Sequence, residues 1–154
     1  MNRTNGLFTV SEVELTYKNK VNINDRPQIT SSRNSYDVLL QNWSNQLEFV
    51  EEFNILMLNR ANRVLAFYNV SKGGKTGTVV DARVVFTAAL KCNSVYLVLA
   101  HNHPSGSLYP SPQDIQLTEK LVEGGKLLNI RVIDHLIVTP RGYYSFADEG
   151  KISK

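Results

Sequence analysis

Apolar residues recur along the chain with two periods, and the switching between them predicts the elements. Residues 7–17, Leu-Phe-Thr-Val-Ser-Glu-Val-Glu-Leu-Thr-Tyr, alternate well enough for a first strand, with Val13, Leu15 and Tyr17 on one face. Lys18 to Ser32 is polar, contains Asn24-Asp25-Arg26-Pro27 and reads as a connecting loop. Ser35 is a good N-cap for a helix from Tyr36 to Gln46. Asp37 suits the dipole of its first turn, and Val38, Leu39, Trp43 and Leu47 supply a buried face. Glu51 to Leu58 and Arg63 to Val70 read as strands. The Asn59-Arg60-Ala61-Asn62 between them is turn chemistry, so the pair predicts an antiparallel hairpin.

The second half is more regular. Asp81 to Lys91 predicts a helix with Val84, Val85, Ala88, Ala89 and Cys92 inward and Asn93 as its stop. Val95 to Ala100 reads as a buried strand. A helix then runs to Leu128, with Ile115, Thr118, Leu121, Val122 and Leu128 at helical spacing. Ile130 to Val138 is a strand, Pro140-Arg141-Gly142 turns the chain, and Tyr143 to Phe146 returns as a strand. The order β-α-β-β-α-β-α-β-β predicts an α/β (α+β) fold, a sheet flanked by helices.

Composition narrows the class. At 154 residues, 42% apolar and 20% charged, the chain is expected to form one soluble domain with a core of its own. Its single cysteine, Cys92, excludes an internal disulfide and a zinc site built from cysteines. No apolar run approaches the roughly 18 residues that span a bilayer, and Met1 to Phe8 has no signal-peptide core, so a cytoplasmic protein without membrane contact is expected. The net charge of +3 comes from scattered Lys and Arg, without the stripe that nucleic-acid binders concentrate. Gly74-Lys75-Thr76 ends like a phosphate loop, but Asn69 stands where the first glycine belongs, and no nucleotide site is expected.

The candidate chemistry sits between the fourth strand and the third helix. His101 and His103 are two apart, so on a strand they share a face. Pro104 bends the chain, Ser111 is a good N-cap, Pro112 suits the first helical position, and Asp114 falls three residues after the cap. Two imidazoles and a carboxylate are what catalytic zinc takes, with a fourth position left for water. Ser111-x-x-Asp114 is equally a capping box variant, and His-x-His alone is a weak signal. The residues leave both readings open, though strand and helix converge on one spot.

His101-x-His103-Pro104, six residues, then Ser111-x-x-Asp114 resembles the motif of the JAMM (MPN+) metalloprotease superfamily, with every ligand position filled. The longer string His-Asn-His-Pro-Ser-Gly, with Pro-Ser and Asp, is similar to the RadC branch. Glu51-x-Phe53, Ser71-x-Gly73, Arg83, Asp134-His135 and Ser145-Phe146 extend the resemblance over roughly residues 35–150. It implies a cytidine-deaminase-like JAB/MPN architecture with a mixed, mostly antiparallel sheet, as a single domain over 1–154. It also implies a Zn2+ ion on His101, His103 and Asp114. Ser111 would stabilise the oxyanion or position the water, and an upstream glutamate would act as general acid/base. The branch pattern places that glutamate at Glu51. Glu52 is its competitor, but neighbours on a strand face opposite sides, so one of the two can reach the metal. For the same reason Asp134 and His135 are expected to be structural or to support the ligands, and Asn102 to point away from the histidines. Ser105 and Gly106 are expected to shape the loop; Arg83 has no assigned role.

The activity implied is zinc-dependent hydrolysis of a peptide or isopeptide bond, with a peptide or protein as substrate. The alternative is a DNA-associated accessory role, since RadC-like proteins carry a DNA-repair label. Longer members have an N-terminal helix-hairpin-helix region, for which this chain is expected to lack room. An exposed edge strand would support a homodimer.

Overall fold

A computed structural model describes residues 6–73 and 79–153. Among them, a short 3-10 turn (Ile23–Asp25) precedes α1 (Ser32–Asn42), β1 (Glu52–Leu58), β2 (Val64–Lys72), α2 (Ala82–Lys91), β3 (Tyr96–Asn102), α3 (Pro112–Leu127), β4 (Arg131–Thr139) and β5 (Gly142–Ser145). The strands form one sheet in the order β2-β1-β3-β4-β5. β1 is antiparallel to β2 and to β3, and β4 to β5; β3 and β4 are parallel. That parallel pair is joined through α3, because a parallel connection needs a crossover. The predicted mixed, mostly antiparallel sheet flanked by helices is therefore present. No helix of the described residues is long and apolar enough to cross a membrane. Gly74-Lys75-Thr76 lies outside the described residues.

Both faces of the sheet are covered, which is why its central strands are near-continuous apolar runs. Phe53, Ile55, Met57, Leu97, Leu99 and Ile137 pack with Val85, Phe86 and Ala89 of α2 and Leu121 of α3. On the opposite face Leu56, Leu58, Val98, Ala100, Leu136 and Val138 pack with Tyr36 and Leu39 of α1 and with Trp43.

Two predicted elements differ. Residues 7–17 form no strand, and Leu7, Phe8, Val10, Val13 and Leu15 are exposed. Their alternation slips: Phe8 and Val10 are in one phase, Val13, Leu15 and Tyr17 in the other, so no single strand face gathers them. The Tyr17 hydroxyl reaches the sheet, donating to the Leu65 carbonyl at 2.7 Å. The first helix begins four residues earlier than Ser35 suggests. Ser31 is its N-cap, accepting from the Asn34 N–H at 3.2 Å, while Asn34 Oδ1 accepts from Thr30 N–H at 3.0 Å. Ser35 instead lies buried on the inner face. The helix stops at Trp43, whose backbone is extended and whose ring enters the core, and Leu47 falls in the following loop. Asp37 is thereby displaced from the first turn and pairs with Arg33 at 3.1 Å.

The hairpin and the later helices follow the predicted pattern. Asn62 and Asn93 take left-handed φ values of 60° and 56°, as does Asn129 at 55°, a conformation asparagine tolerates. Asn129 ends α3, and the Ile130 N–H returns to the Gly125 carbonyl at 2.9 Å. That return brings backbone against backbone: a Cβ on Gly125 would lie 2.2 Å from the Ile130 oxygen. Alanine gains about 1 kcal/mol over glycine inside a helix, but overpacking costs about 1–3 kcal/mol, and a backbone oxygen cannot move aside as a side chain can. Gly125→Ala should therefore destabilise the fold by about 2 kcal/mol. The check is a lower urea midpoint at unchanged slope.

Candidate metal centre

The site forms where the end of β3, the start of β1 and the first turn of α3 meet. Phe53 of β1 pairs with His101 of β3. Side chains alternate along a strand, so Glu51 and Phe53 share the face that carries His101. The ligand atoms of Glu51, His101 and His103 lie within 4.8 Å of one another. His103 is one residue past the strand end, yet its Nε2 is 2.9 Å from that of His101. Gly106, at φ 85°, lets the loop fold back: its N–H donates to the His103 carbonyl at 2.9 Å. Ser107 then offers its own carbonyl 2.9 Å from His103 Nδ1. A carbonyl only accepts, so Nδ1 carries the proton and a neutral His103 turns a bare Nε2 into the site.

Asp114 approaches the same two nitrogens. Its Oδ1 is 3.3 Å from His101 Nε2 and its Oδ2 is 3.3 Å from His103 Nε2. The capping box is also present: Ser111 Oγ accepts from Asp114 N–H at 3.1 Å, and Asp114 Oδ2 accepts from Ser111 N–H at 2.8 Å. The two readings of Ser111-x-x-Asp114 are thus compatible, since one oxygen caps the helix and faces His103 while the other faces His101. Burial would raise the Asp114 carboxyl, but His101 and His103, which hydrogen-bond to it whenever they carry a proton on Nε2, outweigh burial and hold the group well below the ordinary carboxylate range. Reciprocally, the hydrogen bond with Asp114 raises His103 against its own desolvation. A tetrahedral ion with bonds of about 2.0–2.1 Å sets its ligand atoms about 3.3 Å apart. Both imidazole–Asp114 spacings of 3.3 Å match that requirement, and the two imidazole nitrogens, at 2.9 Å, stand somewhat closer.

Glu52 is turned away. Its carboxylate accepts from Ser44 Oγ at 2.7 Å and faces Lys72 Nζ at 3.4 Å, on the α1 side of the sheet. Asn102 lies on that side too, and does more than point away from the histidines. Its Oδ1 accepts from Glu52 N–H at 2.7 Å, and its Nδ2 donates to the Leu47 and Val50 carbonyls at 2.7 and 2.8 Å. The side chain therefore grips the backbone on either side of Glu51.

Asp134 and His135 diverge as neighbours on a strand must. Asp134 accepts from Ser145 Oγ at 2.7 Å and Ala147 N–H at 3.0 Å. Burial raises its carboxyl, partly offset by the Ser145 hydrogen bond. His135 is fully buried on the metal-site face, its Nε2 2.7 Å from His101 Nδ1 and its Nδ1 2.6 Å from Thr118 Oγ1. Desolvation first, then the neighbouring His101, lowers it well below the ordinary histidine value. Phe146 stacks on its ring at 4.7 Å and 11°, and Phe53 meets it edge-on at 5.6 Å. Arg83 is exposed and, among the described residues, pairs with Asp81 at 3.1 Å. Its helical spacing in the sequence marks Thr118 as a packing residue. The one signal of a further role is a hydroxyl one helical turn after Asp114 on an otherwise apolar face.

The RadC-like JAB domain model matches residues 29–151. The chain belongs to the RadC-like JAB domain family. It is 45% identical over 123 residues to a UPF0758 protein of Flavobacterium johnsoniae, covering 80% of this chain and 53% of that protein. A UPF0758 protein of Porphyromonas gingivalis is 40% identical over 126 residues, covering 81% of this chain and 55% of the relative. One from Alkaliphilus metalliredigens is 46% identical over 99 residues, 64% of this chain and 43% of the relative. The chain thus spans about half the length of these relatives. The match opens at Ile29, just ahead of α1, so the RadC-like JAB domain takes in every strand and helix around the candidate metal centre.

Asn102 supplies the clearest test of how the centre is held. Asn102→Leu would leave one buried N–H and two carbonyls without a partner. At about 1–3 kcal/mol for each unsatisfied buried group, the domain should lose about 3 kcal/mol or more. Chemical denaturation measures the loss, and faster hydrogen exchange at the Glu52 amide should accompany it.

Proposed function

We propose that this RadC-like JAB domain is a zinc-dependent metallohydrolase of the JAMM type, cleaving a peptide or isopeptide bond in a peptide or protein substrate. The observation that carries the reading is the convergence of three lone-pair donors, His101 Nε2, His103 Nε2 and Asp114, at separations of 2.9–3.3 Å, with a fourth group, Glu51, beside the imidazoles. Three protein ligands that leave one position open are the pattern of catalytic rather than structural zinc. Zinc, when bound, supplies Lewis-acid polarisation and brings the pKa of water down to about 7.

The protein's own groups do the rest. Glu51 is the general base: it takes a proton from the attacking water and later delivers it to the leaving amine. Its place at the mouth of the cluster is held by the backbone on either side, through Asn102. Ser111 Oγ accepts from Asp114 N–H, which leaves the hydroxyl proton free to donate to an oxyanion. His101, His103 and Asp114 are the ligands.

Metal analysis of the purified chain should return about one zinc per chain. Glu51→Gln should keep the metal and lose turnover on the order of 10²–10⁴-fold in a screen of peptide and isopeptide substrates. His103→Ala should lose both. A zinc-free chain whose turnover survives chelation would overturn the reading.

A further inference from the structure

We propose that Thr118 and His135 are positioning residues that fix the tautomer of His101, so that its Nε2 reaches the centre as a bare lone pair. The proposal rests on the metal-site reading above and extends it to two residues that touch no ion and no substrate.

Hydrogen-bond accounting carries it. The Thr118 hydroxyl lies 2.7 Å from the Asp114 backbone carbonyl and 2.6 Å from His135 Nδ1. It has one proton and two neighbours. The carbonyl can only accept, so the proton goes there. Were it given to His135 instead, two oxygen lone pairs would face each other at 2.7 Å. His135 Nδ1 must therefore be the N–H that donates to the threonine oxygen. His135 is fully buried, between Phe146 and Phe53, and its other nitrogen faces His101. The nearby Asp134 carboxylate is engaged by Ser145 and Ala147 on the opposite face of the sheet. With no anion against its ring, His135 is the neutral imidazole, and Nε2 is its acceptor. His101 Nδ1, 2.7 Å away, is then the donor, and a neutral His101 has its remaining lone pair on Nε2.

The chain of donors runs from His101 through His135 and Thr118 to the carbonyl of Asp114. It begins on one ligand and ends on the backbone of another, tying β3, β4 and α3 into one closed circuit through the site. A single hydroxyl thus sets the direction of three successive hydrogen bonds. Groups behind a metal-binding histidine that fix its tautomer are commonly worth 10–100-fold in metal affinity. Here the group behind the ligand is a second histidine, whose own direction is set by threonine.

Two measurements test this. The first is zinc affinity by competition with a chromophoric chelator. Thr118→Val, near-isosteric but without the hydroxyl, should bind zinc on the order of 10-fold more weakly, while Thr118→Ser should bind as the parent chain does. The second needs no metal: long-range ¹H–¹⁵N spectra of the imidazoles in the metal-free protein. In the parent chain His135 and His101 should both carry their proton on Nδ1, and Thr118→Val should release His135 to the other tautomer. A parent chain that binds zinc, with Thr118→Val binding equally well, overturns the proposal and leaves the metal-site reading standing. A parent chain that binds no zinc overturns the metal-site reading, and the spectra then decide the proposal. Nδ1–H on His101, with or without a second proton on Nε2, upholds it, and a ring protonated on Nε2 alone overturns it. Should Thr118→Val fail to fold, the parent spectrum gives the same decision.

Discussion

Alternation across a sheet covered on both faces is the constraint on which the rest depends. Glu51, Phe53, His101 and His135 face α2 and α3; Glu52, Asn102 and Asp134 face the other way. A slip of one residue in the pairing of β1 with β3 would turn the β1 side chains to the opposite faces of the sheet. It would present Glu52 to the imidazoles and bury Glu51 among the residues that now hold Glu52. The apolar packing on each face therefore does more than stabilise the sheet. Leu56, Val98 and Ala100 on one side and Ile55, Leu97 and Leu99 on the other lock the register that decides which polar groups meet.

Partly buried Asp114 and buried Asp134 show how the faces differ electrically. Asp114 ends among imidazole nitrogens, and its carboxyl is driven down despite burial. Asp134 ends among a hydroxyl and backbone amides, and burial prevails, driving its carboxyl up. Both are well hydrogen-bonded, so bond count does not separate them. The separation comes from the partners: those of Asp114 can carry positive charge, and those of Asp134 are neutral. One carboxylate is thereby adapted to sit beside a cation, and the other to fasten the end of the sheet to the turn after β5.

Much of this is legible in the sequence because it is local. The i, i+2 spacing of the histidines, the Ser111–Asp114 cap and the turn asparagines each depend on a few neighbouring residues. The strands of the second half are long enough for their apolar runs to be unambiguous. The first strand and the start of α1 fail for local reasons as well. A phase slip inside residues 7–17 removes any common face, and Ser31 and Ser35 compete as caps four residues apart until packing draws Ser35 inward. The roles of Asn102 and Thr118 are not legible, because their partners lie far off in sequence. Asn102 meets the backbone at Leu47, Val50 and Glu52, and Thr118 meets His135. Only the assembled sheet brings those groups within reach.

The capping box has a consequence for how the site comes into being. Asp114 Oδ2 faces both the Ser111 amide and His103 Nε2, so the first turn of α3 and the third corner of the centre are one structure. Winding that turn aims the carboxylate, and fraying it scatters the site. An ion seated there would act as a clasp on the helix, and the nucleation of α3 and the capture of the ion would be a single event.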